Sequence, residues 1–303
     1  MKTSIVILVL FAIAATNSVK AQTTIPDANK TVKEGSAARP AGLGYSEDAF
    51  TGFIGPHYAG HDLRMIYSVL ESRLSPKGEY EKTSEYQDRL QRSMNEPIVG
   101  ELKPNDLFAF VFQPKRSFDS GQVYLEYDAD KEEMIVHVNS TQDDRKYPDN
   151  REGEYSRAII WREASKSRSY VGSNAFGAST DVTSINSEHY ALLFDMSRSK
   201  FLDAVQKGNW HSSSISDSGE VRFHLPAAEA KKLRDLLRVL IVCSIKEPPV
   251  TNGYAYNAPT ISDPTEIAFK DNYLHVALDS IWVFDDETGK VYAKSTDAIS
   301  SVP

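Results

Sequence analysis

Leu107-Phe-Ala-Phe-Val-Phe112 decides the fold class, because the chain changes its period there. After Pro104 the apolar pattern repeats every two residues, as a strand requires. Upstream the repeat is helical. Leu63, Ile66, Tyr67, Leu70 and Leu74 share one face of a helix, with Arg64, Glu71 and Arg73 off that stripe. Ser75-Pro76-Lys77-Gly78 ends it. A second helix starts at Thr83 or Ser84, either of which can cap the first turn. It carries Tyr86, Leu90 and Met94 on one side and stops at Pro97. The pair predicts a helical hairpin ahead of the first strand.

Downstream, Val123-Tyr-Leu-Glu-Tyr127 and Met134-Ile-Val-His-Val138 read as strands around the turn-prone Asp128-Ala-Asp-Lys131. Residues 141–153 are polar, contain Pro148 and predict a surface loop, the place where the body would divide if it holds two domains. Ala158-Ile-Ile-Trp161 and Tyr190-Ala-Leu-Leu-Phe194 resume strand character. Between them Gly172, Gly177 and several serines suggest an irregular crossing. Val221-Arg-Phe-His-Leu225 alternates like a strand, and Pro226 then opens a helix with Glu229 early and Arg234 and Arg238 late. Ala230, Leu233, Leu236, Leu237 and Leu240 make its expected buried face. The chain passes from there into Val239-Leu-Ile-Val-Cys-Ser-Ile245. Ile281-Trp-Val-Phe284 and Lys290-Val-Tyr-Ala293 flank a turn in which Gly289 is free to take positive φ, a hairpin pattern. The expected class is α+β: an N-terminal helical hairpin, mainly antiparallel sheet or sheets, then a C-terminal strand-helix-strand and β-hairpin.

The ends of the chain speak of address. Lys2, the apolar run Ile5 to Ala15 and the close Val19-Lys20-Ala21 have the order of a cleavable secretory signal over residues 1–21. The run is too short for a membrane span. Residues 22–40 read as a flexible leader and 41–303 as the globular body. Gln22 follows the cleavage point, so no lipid-anchoring cysteine is expected there. Cys243 is the only cysteine, which excludes an internal disulfide. A formal net charge of −8 speaks against nucleic acid and anionic lipid as partners.

No motif announces a reaction. His57, His61 and Asp62 are the densest set of metal-ligand types, but zinc needs a third and usually a fourth ligand that nothing supplies, so no metal or cofactor is expected. Ser197-Arg-Ser-Lys200 has the Ser-x-x-Lys spelling of some acyl-enzymes without their companion motifs. Asp128, Asp130 and Glu132 alternate like a calcium loop, but Glu133 stands where glycine is needed. The segments Tyr170 to Gly177 and Asn252 to Asn257 place aromatics and amides beside glycines. Tyr170, Asn174, Phe176, Tyr254, Tyr256 and Asn257 are therefore the candidate binding residues, since a flat ring and an amide combine area with directional hydrogen bonds.

Gly78-Glu-Tyr-Glu-Lys-Thr-Ser-Glu-Tyr-Gln-Asp-Arg89 resembles a motif of uncharacterised exported bacterial proteins, in Tyr80, Glu81, Thr83, Glu85, Tyr86 and Arg89. Asn174-Ala-Phe-Gly177 and Ile281-Trp-Val-Phe-Asp285 with Thr288-Gly289 look similar to the same group. The resemblance implies a bacterial envelope protein and no assigned activity. Physically the first motif reads as a helix start, with Tyr80 stapled onto the helix that Thr83 caps and Glu85 paired to Arg89. The expected function is a non-catalytic periplasmic domain that binds or scaffolds an envelope protein, peptide or glycan. The alternative is a periplasmic hydrolase of envelope peptide or glycan, its catalytic residues dispersed along the chain.

Overall fold

A computed structural model of the protein describes residues 44–114, 123–138, 141–143, 155–163, 165–173, 175–196, 201, 210–212 and 219–295. It is mixed α+β and mostly sheet. Helix α1 (Leu63–Arg73) is capped by the Asp62 carboxylate, which accepts from the Arg64 amide at 2.9 Å and the Met65 amide at 3.4 Å. Leu63, Ile66, Tyr67 and Leu70 bury its apolar stripe. In α2 (Thr83–Ser93) only Ser93 is buried.

The first helix-start reading needs correction. Lys82, not Thr83, holds the cap position, and its amide donates to Glu85 at 3.0 Å. Arg89 turns instead to Glu81, with two bonds of 2.9 and 3.0 Å. The same guanidinium also donates to the Arg73 and Ser75 carbonyls, which fastens α2 to the exposed carbonyls at the end of α1. The bonds from Arg89 pull the Glu81 carboxyl down to about 2. Tyr80 is 92% exposed and staples nothing.

β1 (Phe108–Phe112) is the outer strand of the larger sheet and pairs antiparallel with β10 (Leu237–Asn257), which pairs in turn with β11 (Thr265–Asp285). β1 buries both faces. Phe108, Phe110 and Phe112 go to one side with Val239, Ile241 and Cys243, while Ala109 goes to the other with Leu240, Val242, Trp282 and Phe284. The first side is covered by α1 and by a smaller sheet of β2 (Val123–Asp128), β3 (Glu133–Val138), β9 (Gly219–His224) and β8 (Trp210–Ser212), in the order β2-β3-β9-β8. The second is covered by Phe50 and Ile54 of the segment before α1.

Two long hairpins make the rest of the larger sheet. β5 (Tyr155–Arg162) and β6 (Lys166–Ser173) run one after the other along β7 (Ser179–Phe194), and β10 runs along β11. The hairpins join through β7 and β11, which are parallel from Thr183 opposite Thr265 to Phe194 opposite Val276. β4 (Thr141–Asp143) adds to β5, and β12 (Val291–Lys294) returns along β11. Gly289 sits in that return at φ 73°, and a Cβ there would strike the Ile54 carbonyl oxygen. Only glycine fits.

Two further expectations fail. The irregular crossing around Gly172 is regular strand, with β6 paired antiparallel to β7 without a break from Lys166 opposite Asn186 to Ser173 opposite Ser179. The helix after Pro226 is short: α3 (Ala227–Leu233) ends seven residues before Leu240, and β10 begins at Leu237. Leu237 to Ile245 is apolar at nearly every position and lies between β1 and β11, so burial on both faces overrides the helical spacing of the leucines. Residues 1–40, most of 141–153 and Ser197 to Lys200 lie outside the described residues.

Candidate functional site

Parallel pairing of β7 with β11 sends both hairpin tips to the same end of the sheet. There β6, β7, β11 and β10 lie side by side as a four-stranded arm, and the arm gathers residues that are some eighty positions apart in sequence. Lys166, Asn186, Ala268 and Tyr256 stand in one cross-strand row, and Arg168, Ser184 and Glu266 in the next. Residues paired across a sheet share a face, as do alternate residues of a strand. One face therefore carries Lys166, Arg168 and Tyr170 on the outer strand β6, and Tyr254 and Tyr256 on the opposite outer strand β10. The inner strands carry Val182, Ser184, Asn186 and Glu188 on β7 and Glu266, Ala268 and Lys270 on β11. In the row Lys166-Asn186-Ala268-Tyr256 short side chains lie between long ones, which makes a shallow trough whose walls stand roughly 14 Å apart, three strand spacings.

Its walls are braced. The Tyr170 hydroxyl donates to Glu266 at 2.5 Å, and Ser184 donates to the other oxygen of the same carboxylate at 3.2 Å. The carboxylate beside it raises the Tyr170 phenol above its ordinary value, so the ring stays a neutral donor. Tyr254 and Tyr256 lie parallel within 9°, their centroids 6.5 Å apart, and are 67% and 50% exposed. One end of the trough is closed by Lys270 and Glu188 at 3.3 Å, with Asn272 donating to Glu188 at 2.7 Å.

The sequence candidates divide accordingly. Tyr170, Tyr254 and Tyr256 share the trough face. Asn257 follows Tyr256 and turns to the opposite face. Phe176 is in the tip between β6 and β7 and is 96% exposed. Asn174 lies outside the described residues. Lys166, Arg168, Ser184, Asn186 and Glu266 escaped the sequence reading because nothing local distinguishes them; only the register places them beside the tyrosines.

On the reverse face of the same strands is a second cluster. His189 Nδ1 lies 2.8 Å from one oxygen of Asp271. The other oxygen accepts from the Tyr273 hydroxyl at 3.0 Å and from Arg157 at 3.2 Å. Asp271 and Tyr273 are buried, and Arg157 bridges both, donating to the Tyr273 oxygen at 3.3 Å. Carboxylate, imidazole and hydroxyl thus meet, but the hydroxyl spends its proton on the carboxylate and the imidazole is not its base. A serine-type relay needs the opposite order.

The other chemical candidates resolve into structural roles. His61 is buried with Nδ1 accepting from the Ala109 amide at 2.8 Å and Nε2 within 2.8 Å of the Asp48 carbonyl. This pattern assigns the neutral ring with its proton on Nε2. Burial pulls its pKa below the ordinary value. His57, at φ 56°, is tied to the C-terminal turn by its amide bond to the Asp286 carbonyl, with Nδ1 3.7 Å from the Asp286 carboxylate. Asp128 accepts from the Asp130 and Lys131 amides at 3.1 Å each, which is turn chemistry. Among the described residues no three acids, histidines or cysteines are placed to share a metal ion.

His61 carries a pH signature. Its folded pKa lies below that of the unfolded chain, so stability is full above pH ~6.5 and falls as the pH drops from there toward the folded value. Burial lowers buried His137 as well, and it adds to the same slope. The urea midpoint is expected to fall between pH 7.5 and 5, and to fall less steeply in His61→Gln. Equal slopes in the two proteins would refute the assignment.

Two clefts stand out among the described residues. The wider, about 480 Å³, is an open hollow on α2 beside Asp88, Gln91, Arg92, Asn95 and Glu96. The other, about 170 Å³, lies between residues 44–47 and α1 and includes His61 and Asp62, but those two are already committed to the backbone groups described above. Comparison with family models, curated proteins and solved structures finds no match to this chain.

Proposed function

We propose that the protein is exported to the bacterial periplasm and works there as a non-catalytic binding or scaffolding domain, with the tyrosine-lined trough of the arm as its recognition surface. Residues 1–21 support the address by their signal-like order. One observation carries the rest. Of the twelve exposed large hydrophobic residues among those described, six (Tyr170, Val171, Phe176, Tyr254, Tyr256 and Ile261) belong to the two hairpin ends of the arm. Exposed apolar groups that cluster in this way mark interaction sites, whereas scattered ones need no explanation.

A hydrolase is the second reading, and the His189–Asp271 pair is what favours it. Binding is preferred because Asp271 already has both oxygens engaged and Tyr273 points its proton at the acid. Site-specific photo-crosslinking in cells separates the two. A crosslinker at Tyr254 is expected to give one discrete envelope adduct, lost when Tyr256→Ala is added, while a crosslinker at Tyr80 gives none. Equal labelling from both positions would refute the trough, and recovery of only unprocessed cytoplasmic protein would refute the address.

A further inference from the structure

From the geometry of the trough we infer its ligand: an acidic glycan, a chain of pyranose rings bearing carboxylates. The inference rests on the binding reading above and adds the chemistry of the occupant.

Three features of the surface converge on that class. The Tyr254 and Tyr256 rings are parallel, at least half exposed, and held on one strand. A pyranose offers a patch of C–H bonds that covers such a ring face, at little entropic cost because a tyrosine has only two side-chain torsions. Between the walls Ser184 is buried and donates to Glu266, while Asn186 is exposed, so its amide can meet ring hydroxyls.

Charge supplies the third feature. Glu188 is matched by Lys270, and Glu266 is held by Tyr170 and Ser184. Lys166 and Arg168, on the wall facing the tyrosines, make no ion pair among the described residues. Hydroxyl donors leave the Glu266 charge in place, so Lys166, Arg168 and Lys270 outnumber Glu188 and Glu266 by one, and the trough has a sign opposite to the chain's net −8. An anion is therefore attracted to this face and repelled by the average surface. Arg168 is also suited to a carboxylate, which it can grip with two parallel bonds.

The test is titration calorimetry of the signal-free protein with oligogalacturonate, its methyl ester and polyglutamate. The ester keeps the sugar and removes the charge; the polypeptide keeps the charge and removes the sugar. Oligogalacturonate is expected to bind at least tenfold more tightly than either. Tyr254→Ala with Tyr256→Ala should weaken it at least tenfold. Lys166→Gln with Arg168→Gln should weaken it and flatten its salt dependence. All four positions are exposed or half-exposed, so the variants should melt with the parent, which calorimetry of the free proteins verifies. Equal binding of the ester would overturn the acidic character while leaving a glycan-binding trough. Equal binding of polyglutamate, indifferent to the tyrosine changes, would reduce the site to a cationic patch. No glycan binding at all, with the Tyr254 crosslink intact, would overturn the ligand class and leave the recognition surface standing.

Discussion

Asp271→Ala is expected to lower unfolding stability by about 3–5 kcal/mol, read as a shift of the urea midpoint at neutral pH without change of slope. Asp271 stands on β11 with its carboxylate buried between His189 of β7 and Arg157 of β5, and so ties three strands on the reverse face of the arm. Its truncation removes the acceptor at 2.8 Å from His189 and the acceptor at 3.2 Å from Arg157 at once. Arg157 cannot discharge itself, because a guanidinium keeps its proton at any physiological pH. The cost is therefore that of a cation held in a poorly solvated site without this counter-charge. Asp271→Asn keeps an acceptor and should cost less, though its amide group faces either His189 or the two donors Tyr273 and Arg157. Tyr273→Phe removes only the neutral hydrogen bond at 3.0 Å, and the expected loss is about 1 kcal/mol. An order other than Ala, Asn, Phe would mean that charge does not govern this cluster.

Such a cluster is invisible in the sequence, and the reason is topological. His189 and Asp271 meet through the parallel pairing of β7 with β11, and nothing along the chain fixes the register of two strands from separate hairpins. The trough is subject to the same limit. Aromatic and amide-rich segments could be picked out at 170–177 and 252–257, because turn-prone composition is local. That Tyr170 and Tyr256 share a face, and that Asn257 does not, follows from pairing. The α+β class was legible because it needs only the change of period at Pro104. Strand lengths were not. Leu233, Leu236, Leu237 and Leu240 keep a helical spacing within a segment that folds half as helix and half as strand. Spacing states which residues can share a face, and burial between β1 and β11 settles which conformation uses it. His61 is a third case. With His57 and Asp62 it formed the densest set of metal-ligand types in the sequence, while its actual partners, the Ala109 amide and the Asp48 carbonyl, belong to backbone segments brought in by the fold.

Phe110→Ala should match the Asp271 loss by a different mechanism. Phe110 is wholly buried in β1, opposite Ile241, with Phe108 parallel at 6.3 Å and the His61 ring edge-on at 6.3 Å. Removing the ring takes away its transfer free energy and leaves a cavity that stiff neighbours cannot fill. Val239, Ile241 and Cys243 are fixed by strand pairing on both sides, and α1 is fastened by the Asp62 cap, so little can move inward. The expected cost is about 3–5 kcal/mol, or a melting temperature lower by on the order of 10 °C for a body of this size. Phe176→Ala is the matching control. That ring is 96% exposed at the tip of the arm, and its loss should change stability by less than ~0.5 kcal/mol. The two phenylalanines thus separate by their burial alone. If Phe176→Ala proved the costlier, the tip would have to be packed against something in the free protein, and the arm could not present an open recognition surface. If Phe110→Ala proved mild, the change of period at Pro104 would not have marked a core strand. The contrast therefore tests at one stroke the strand from which the fold was read and the exposure on which the proposed site depends.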